Sequence, residues 1–393
     1  MENLQPPAPI RPGLKSEWLL DDRIVFLNHG SFGALPRCVF DDQTQWRRRI
    51  EAEPIEIIGR QRLTLLAEAK SAIGAWLKMR VEDFGFVTNA TDGINSVLRS
   101  LNFRSGDELL TTTHVYGAVR KAMRFVSERS GAAYREIDVP LPVSSAQEIV
   151  DRVVGGLSEH TRLLVIDHVT SPTALVFPVE RIVAACARRG IEVLVDGAHV
   201  PGMLPLDVPN IGATYYTGNL HKWASAPKGT GFLWVDPRRQ RDIHPLIVSH
   251  HYGEGFLSEF GWQGTRDLSA WLSAPRGLQF MSKLGWDQIM THNHQMATWV
   301  QAMLSQKWDV EPISPLNGSL LGSMATLRLP GRLASMSEAE AQSLQQRFYS
   351  EFKVEVPIMQ WGGLNLVRPS CQVYNKPSDY ERLADVVLSL IQL

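Results

Sequence analysis

The sequence is poor in cysteine. Cys38, Cys186 and Cys371 are the only three among 393 residues. An odd count with no CxxC spacing argues against a disulfide framework and against a zinc site. A surplus of either charge is also missing. Lys+Arg number 40 against 41 Asp+Glu, for a formal net charge of −1, so nothing steers the chain toward nucleic acid or an acidic membrane surface. The one basic cluster, Arg47-Arg48-Arg49 between Trp46 and Ile50, reads as a solvated helix face. No apolar run approaches the roughly 18 residues of a membrane-spanning helix. The first residues, MENLQPPAPIRPGLKSEW, are proline-rich and carry no apolar h-region, so a cytoplasmic location is expected. Internal repeats and low-complexity tracts are absent too. What is there is 44% hydrophobic and 21% charged, an ordinary globular composition long enough for one large core and a second, smaller one.

Residues 1–20 read as an irregular arm, and Leu27-Asn28-His29-Gly30-Ser31-Phe32-Gly33 as a glycine-punctuated loop ahead of Pro36. From 37 to 80 the pattern is helical, interrupted at Pro54. The middle alternates strand-like runs (84–88, 108–112, 133–139, 162–167, 192–196, 214–217 and 231–235) with helical stretches (91–101, 118–127, 146–155 and 179–188). Short apolar strands separated by helices predict an α/β fold with a mostly parallel, seven-stranded sheet covered on both faces. Ligands of such sheets bind at the carboxyl ends of the strands, where this sequence places polar residues: Asn89-Ala90-Thr91, His114, Asp167-His168, Asp196 and Lys222. After Gly264 a long helical run (269–304), strands near 325–329 and 365–369, and helices near 337–351 and 379–391 predict a smaller α+β unit. The expected division is an N-terminal arm over 1–35, a large domain over 36–265 and a small C-terminal domain over 266–393.

The chemistry concentrates at two strand ends. Val193, Leu194 and Val195 lead into Asp196, and 26 residues later a strand over 214–217 runs through His221 into Lys222. A carboxylate buried in this way needs a cationic partner. A lysine enclosed between His221 and Trp223 has a lowered pKa and a free amine. A protonated pyridine and a Schiff base satisfy both, which points to pyridoxal 5′-phosphate (PLP). A phosphate needs backbone N–H groups at a helix start, and Asn89-Ala90-Thr91 follows a strand and opens a helix. An aromatic face should stack on the ring, and Tyr116 or His114 is the candidate. His199 either supports the cofactor or lines the loop. Arg368, at the end of a strand, offers a guanidinium fork for an α-carboxylate.

The order NATDG, THVYGA, DHVTSPT, VLVDGAHVPG, YYTGNLHKW, GTRD and VRPSCQVYN resembles the class V aminotransferase group of fold-type I PLP-dependent enzymes, over Leu27 to Asn375. LNHGSFG together with EPIEIIGR (residues 53–60) is similar to the isopenicillin N epimerase branch. The resemblance implies a fold-type I PLP-dependent transferase fold, with Lys222 bound to the cofactor, Asp196 at the pyridine nitrogen and His199 near the ring hydroxyl. It implies that Tyr116 stacks on the ring, and that Ala90, Thr91, Thr217 and His221 surround the phosphate. Thr265 would reach a phosphate from a dimer partner, which implies a homodimer. Arg368 would bind the substrate carboxylate, with Asn28, His29 and Arg60 on the substrate side. The desulfurases of this group carry a nucleophilic cysteine before that arginine, and this chain has none between Thr265 and Arg368.

The expected function is therefore PLP-dependent chemistry at the α-carbon of an amino acid. Epimerisation or racemisation is placed first, a C–S or other β-lyase second and transamination third. A non-enzymatic PLP-binding regulator comes last, because no DNA-binding module is present.

Overall fold

The computed structural model of the chain describes residues 5–392. Residues 1–4 of the expected arm and residue 393 of the expected C-terminal unit lie outside the described residues. Along the chain the strands are β1 (Val25–Phe26), β2 (Phe84–Val87), β3 (Glu108–Thr112), β4 (Ala133–Ile137), β5 (Thr161–Asp167), β6 (Glu192–Gly197), β7 (Tyr215–Asn219), β8 (Gly231–Val235), β9 (Leu327–Arg328), β10 (Val354–Glu355), β11 (Ile358–Trp361) and β12 (Leu364–Val367). Seven of them form one sheet in the order β2-β8-β7-β6-β5-β3-β4. Neighbours are parallel except at β8, which runs antiparallel to both β2 and β7. A parallel neighbour needs a crossover of a dozen or more residues, usually helical. The link from β7 to β8 holds no helix, so the chain turns straight back.

Side chains alternate between the faces of a strand. Leu163 and Val165 of β5, Leu194 of β6 and Tyr215 of β7 enter one core, under the helix Ala90–Ser100. Leu164, Ile166, Val193, Val195 and Tyr216 enter the other. The same alternation places Asp167, Asp196, Thr217 and Asn219 on the face of the first core, at the carboxyl ends of their strands. From β3 the chain moves outward to β4, and then β5 takes the other side of β3. That reversal opens the crevice in which sheets of this kind hold ligands.

A second sheet, β11-β12-β9, is antiparallel. Strand β11 is not evident in the sequence, where Ile358–Trp361 has no clear alternation. The run expected as one helix over 269–304 is three, Ser269–Leu272, Ala274–Leu284 and Trp286–Trp308. Pro275 starts the second, and Gly285, at φ 85°, ends it. The final helix is Pro377–Gln392. The arm is not loose: Trp18 is fully buried, edge-on to Phe280 and Tyr374 at 5.3 and 5.1 Å. Farther along, β1 pairs in parallel with β10. Among the described residues no helix is long and apolar enough to cross a membrane.

Candidate active site

Lys222 lies just past the carboxyl end of β7 and opens onto a cavity of about 540 Å³. Its amine is buried. Burial pushes its pKa down to about 7, the charge of Arg368 adds to the shift, and Asp196 opposes it. Half of the amine is then neutral at pH 7, against about one part in 3,000 for a lysine at 10.5. The rate at which the protein captures PLP is therefore expected to rise with pH through about 7 and level off above it, followed by stopped-flow absorbance. An unperturbed lysine would keep accelerating past pH 9. Nζ lies 3.2 Å from His199 Nε2. Burial holds His199 neutral, and its Nδ1 has no hydrogen-bond partner among the described residues.

The backbone around Lys222 is held by the glycine-punctuated loop. Gly33 has φ 71°, and a Cβ there would lie 2.0 Å from the His221 carbonyl, so only glycine permits this approach. His29, expected on the substrate side, is instead fully buried beneath the lysine. Its Nε2 is 3.1 Å from the Lys222 carbonyl, its Nδ1 is 2.8 Å from Tyr374 Oη, and burial pushes its pKa down to about 3. It positions the lysine and does not line the cavity. Asn28 is also withdrawn: Nδ2 donates to Glu355 and Oδ1 accepts from Ser31. The members of this loop that do line the cavity are Ser31 and Phe32, the latter 71% exposed.

At the far wall Asp196 lies buried, in register with Asp167 of β5. Oδ1 of Asp196 accepts from the Ala198 N–H at 2.9 Å, and burial raises its pKa. Among the described residues no cation forms an ion pair with it, so the carboxylate suits a bound pyridinium.

The helix Ala90–Ser100 points its start at the cavity, which Asn89, Ala90 and Thr91 line. Asn89 caps it, accepting from Asp92 N at 3.0 Å. The Asp92 carboxylate in turn accepts from the N–H and hydroxyl of Thr88. First-turn N–H groups have no intrahelical acceptor and favour an anion. The Ala90 N–H donates to Asn219 Oδ1 at 2.8 Å, a cavity residue that the sequence reading missed. His221 also lines this end. Burial pushes it down to about 4. Thr217, expected in the same shell, does not line the cavity: its hydroxyl donates to the Phe232 carbonyl at 2.8 Å. The pairing of β7 with β8 captures it.

Of the two candidate stacking residues, Tyr116 lines the cavity and His114 does not. Both nitrogens of the buried His114 are engaged, Nδ1 at 2.7 Å from Thr173 Oγ1 and Nε2 at 2.6 Å from the Val139 carbonyl. Arg368 is buried beside the site. Its Nη1 donates to the Ser171 carbonyl and, at 3.1 Å, to its hydroxyl, and Nε has no partner among the described residues. Among the described residues no carboxylate pairs with it, and burial lowers its pKa to about 10. A guanidinium in this state suits a carboxylate ligand. Arg60 lies elsewhere, 70% exposed on its side chain and paired with Glu56 at 2.8 Å. Thr265 is exposed and outside the cavity of its own chain. None of the three cysteines lines the cavity. Cys186 and Cys371 are buried, and burial pushes the Cys371 thiol up to about 12. A cavity thiolate of the kind used in persulfide chemistry is therefore not present.

The model of the family described as Aminotransferase class-V matches residues 31–347. Putative L-cysteine desulfhydrase 1 of Oryza sativa subsp. japonica is 34% identical over 404 residues, covering 94% of this chain and 83% of that protein. Isopenicillin N epimerase of Amycolatopsis lactamdurans is 33% identical over 389 residues, covering 94% and 96%. Among solved structures, the cystine C–S lyase C-DES in complex with cysteine persulfide superposes with a TM-score of 0.80 at 20% identity, over 93% of this chain and 97% of that one. A variant of that lyase holds glycine covalently linked to its PLP cofactor.

Proposed function

The chain belongs to the Aminotransferase class-V family and its cofactor is pyridoxal 5′-phosphate, and from that premise we propose that Lys222 removes the α-proton of an L-amino acid and a thiol is then expelled from its β-carbon. PLP, when bound, supplies a sink for the electron pair left at Cα. In this reading Asp196 would hold the ring nitrogen and His199 the ring hydroxyl, Tyr116 would stack on the ring, Ala90, Thr91 and His221 would hold the phosphate, and Arg368 would hold the substrate carboxylate.

The observation that carries the reading is the base strength of the cavity's nitrogen groups. A general base works best with a pKa near the operating pH. Lys222 is pushed down to about 7 and is buried beside His199, whereas the other cavity lysine, Lys228, also lowered, is exposed; His221 is held near 4 and His199 well below its ordinary value. Elimination needs only one base: Lys222 takes the α-proton and can return it to the departing sulfur. For L-cysteine the balance is cysteine plus water to hydrogen sulfide, pyruvate and ammonia. Epimerisation needs a second proton donor on the other side of Cα. One observation favours it as the second reading: Tyr116 lines the cavity from the loop after β3, across Asp167 and Asp196 from Lys222. Incubation of the holoenzyme with L-cysteine is expected to yield sulfide and pyruvate in equal amounts. Accumulation of a D-amino acid without keto acid would replace lyase by epimerase.

Arg368→Ala is expected to lower kcat/KM by roughly thirty-fold or more, since truncating a desolvated, hydrogen-bonded charge pair costs about 2–5 kcal/mol. We also propose a homodimer in which the exposed Thr265 reaches the partner's phosphate site. Light scattering at assay concentration tests this, and a fully active monomer would contradict it.

A further inference from the structure

Asp167 is a second buried carboxylate in this cavity, and the chemistry proposed above does not use it. It is 3% exposed and Asp196 4%. The two residues are Cα partners in adjacent parallel strands. The alternation of β5 and β6 directs both side chains to the same face, and both line the cavity. Neighbouring strands lie about 4.8 Å apart, so two carboxylates sit side by side away from water. Among the described residues Asp167 Oδ2 has no hydrogen-bond partner.

The surrounding groups do not supply a compensating cation. Arg120, on the helix Gly117–Ser130, commits its guanidinium to Glu136 at 2.8 and 2.9 Å. His168, the residue after β5, lies 3.1 Å from the Tyr216 hydroxyl and is held neutral by burial. Lys222 and Ala198 N–H favour the charge of Asp196. The backbone N–H groups of Tyr116 and Asp167 and the Arg120 charge favour the charge of Asp167, while burial and Asp196 oppose it.

We propose that in the PLP-loaded protein Asp167 is a neutral, proton-bearing carboxyl and acts as a positioning residue for Asp196. This rests on the placement of the ring nitrogen at Asp196. One pyridinium brings one positive charge and balances one carboxylate. When two like carboxylates share a dry site, one keeps its proton. Asp196 has the better support for its charge, so the proton resides on Asp167. The carboxyl then fills the space beside Asp196 without adding a second negative charge, and Asp196 is left anionic against the ring. Burial and the neighbouring Asp196 both push the Asp167 pKa upward.

The test is infrared difference spectroscopy on the holoenzyme at neutral pH. A protonated-carboxyl C=O band, sensitive to heavy water, is expected in the wild type and absent in Asp167→Asn. Asp167→Glu keeps the carboxyl and is expected to keep a shifted band. Asp167→Asn is expected to retain PLP within about threefold of wild type, less than half of the 1.4 kcal/mol that a tenfold change represents. A wild type without the band, or an Asn variant that keeps it undiminished, overturns the proposal. So does a tenfold or greater loss of PLP retention in the Asn variant, because a missing negative charge would then be felt. Borohydride reduction separates this from failure of the underlying reading. A cofactor fixed to Lys222 without the band sinks only the Asp167 proposal, and a cofactor fixed to another lysine sinks the ring placement itself.

Discussion

Replacing Lys222 by alanine is expected to remove the borohydride-reducible cofactor adduct and to lower turnover by at least about 10³-fold. A positioned general base alone contributes about 10² to 10⁴, and the covalent hold on the cofactor is lost with it. The fold should survive. Lys222 makes no ion pair among the described residues, and its only side-chain hydrogen bond is the 3.2 Å contact with His199 Nε2. Far-ultraviolet circular dichroism and the thermal midpoint are expected to stay close to wild type while the absorbance of the bound cofactor changes. Peptide mapping after borohydride reduction of the wild type checks the assignment. A label on Lys70 or Lys228, the other lysines with lowered pKa, would refute it.

Asp196→Asn carries the second large effect. The substitution preserves shape and leaves the Ala198 N–H an acceptor, but it removes the charge proposed to face the ring nitrogen. Breaking a buried charge pair by removing one partner costs about 3–5 kcal/mol, which corresponds to a loss of about 150-fold to several thousand-fold at 1.4 kcal/mol per tenfold. The loss should divide between PLP retention, read by equilibrium dialysis, and kcat, because the ring nitrogen is then less often protonated. The variant should still form the adduct with Lys222, so the reducible label separates it from Lys222→Ala. Turnover near the wild-type rate would mean that Asp196 is not the partner of the ring nitrogen.

The two strand ends that carry these predictions were legible because each couples an apolar run to a single polar residue. Val193, Leu194 and Val195 lead to Asp196, and the strand through Tyr216 leads to Lys222. A parallel sheet places both at one edge. Asp167 ends β5, and the alternation Leu163, Val165, Asp167 beside Leu194, Asp196 puts both carboxylates on one face, a pairing that needs the register of β5 on β6. Asn219 is two residues beyond Thr217 and shares its face, but Gly218 breaks the pattern by which the sequence marks the strand. Thr217 has the right phase, and only the antiparallel pairing of β7 with β8, invisible without register, shows that its hydroxyl is spent on Phe232. Motif order located the loop of Asn28 and His29 near the lysine. Which of its side chains turn inward depends on tertiary partners far along the chain, Tyr374 and Glu355. Arg60 lies on a π-helical turn, Ile55–Arg60, whose orientation no local pattern encodes.

The central claim is that Lys222 is the base acting at Cα. It is tested most directly by exchange of the α-proton of an L-amino acid into heavy water, read by mass spectrometry on recovered substrate. L-alanine is suitable because it carries no β-leaving group. The PLP-loaded wild type is expected to introduce one deuterium at Cα. Lys222→Ala, supplied with PLP and shown to bind the amino acid by its absorbance, is expected to introduce none on the same timescale. Exchange by Lys222→Ala at the wild-type rate would contradict the account.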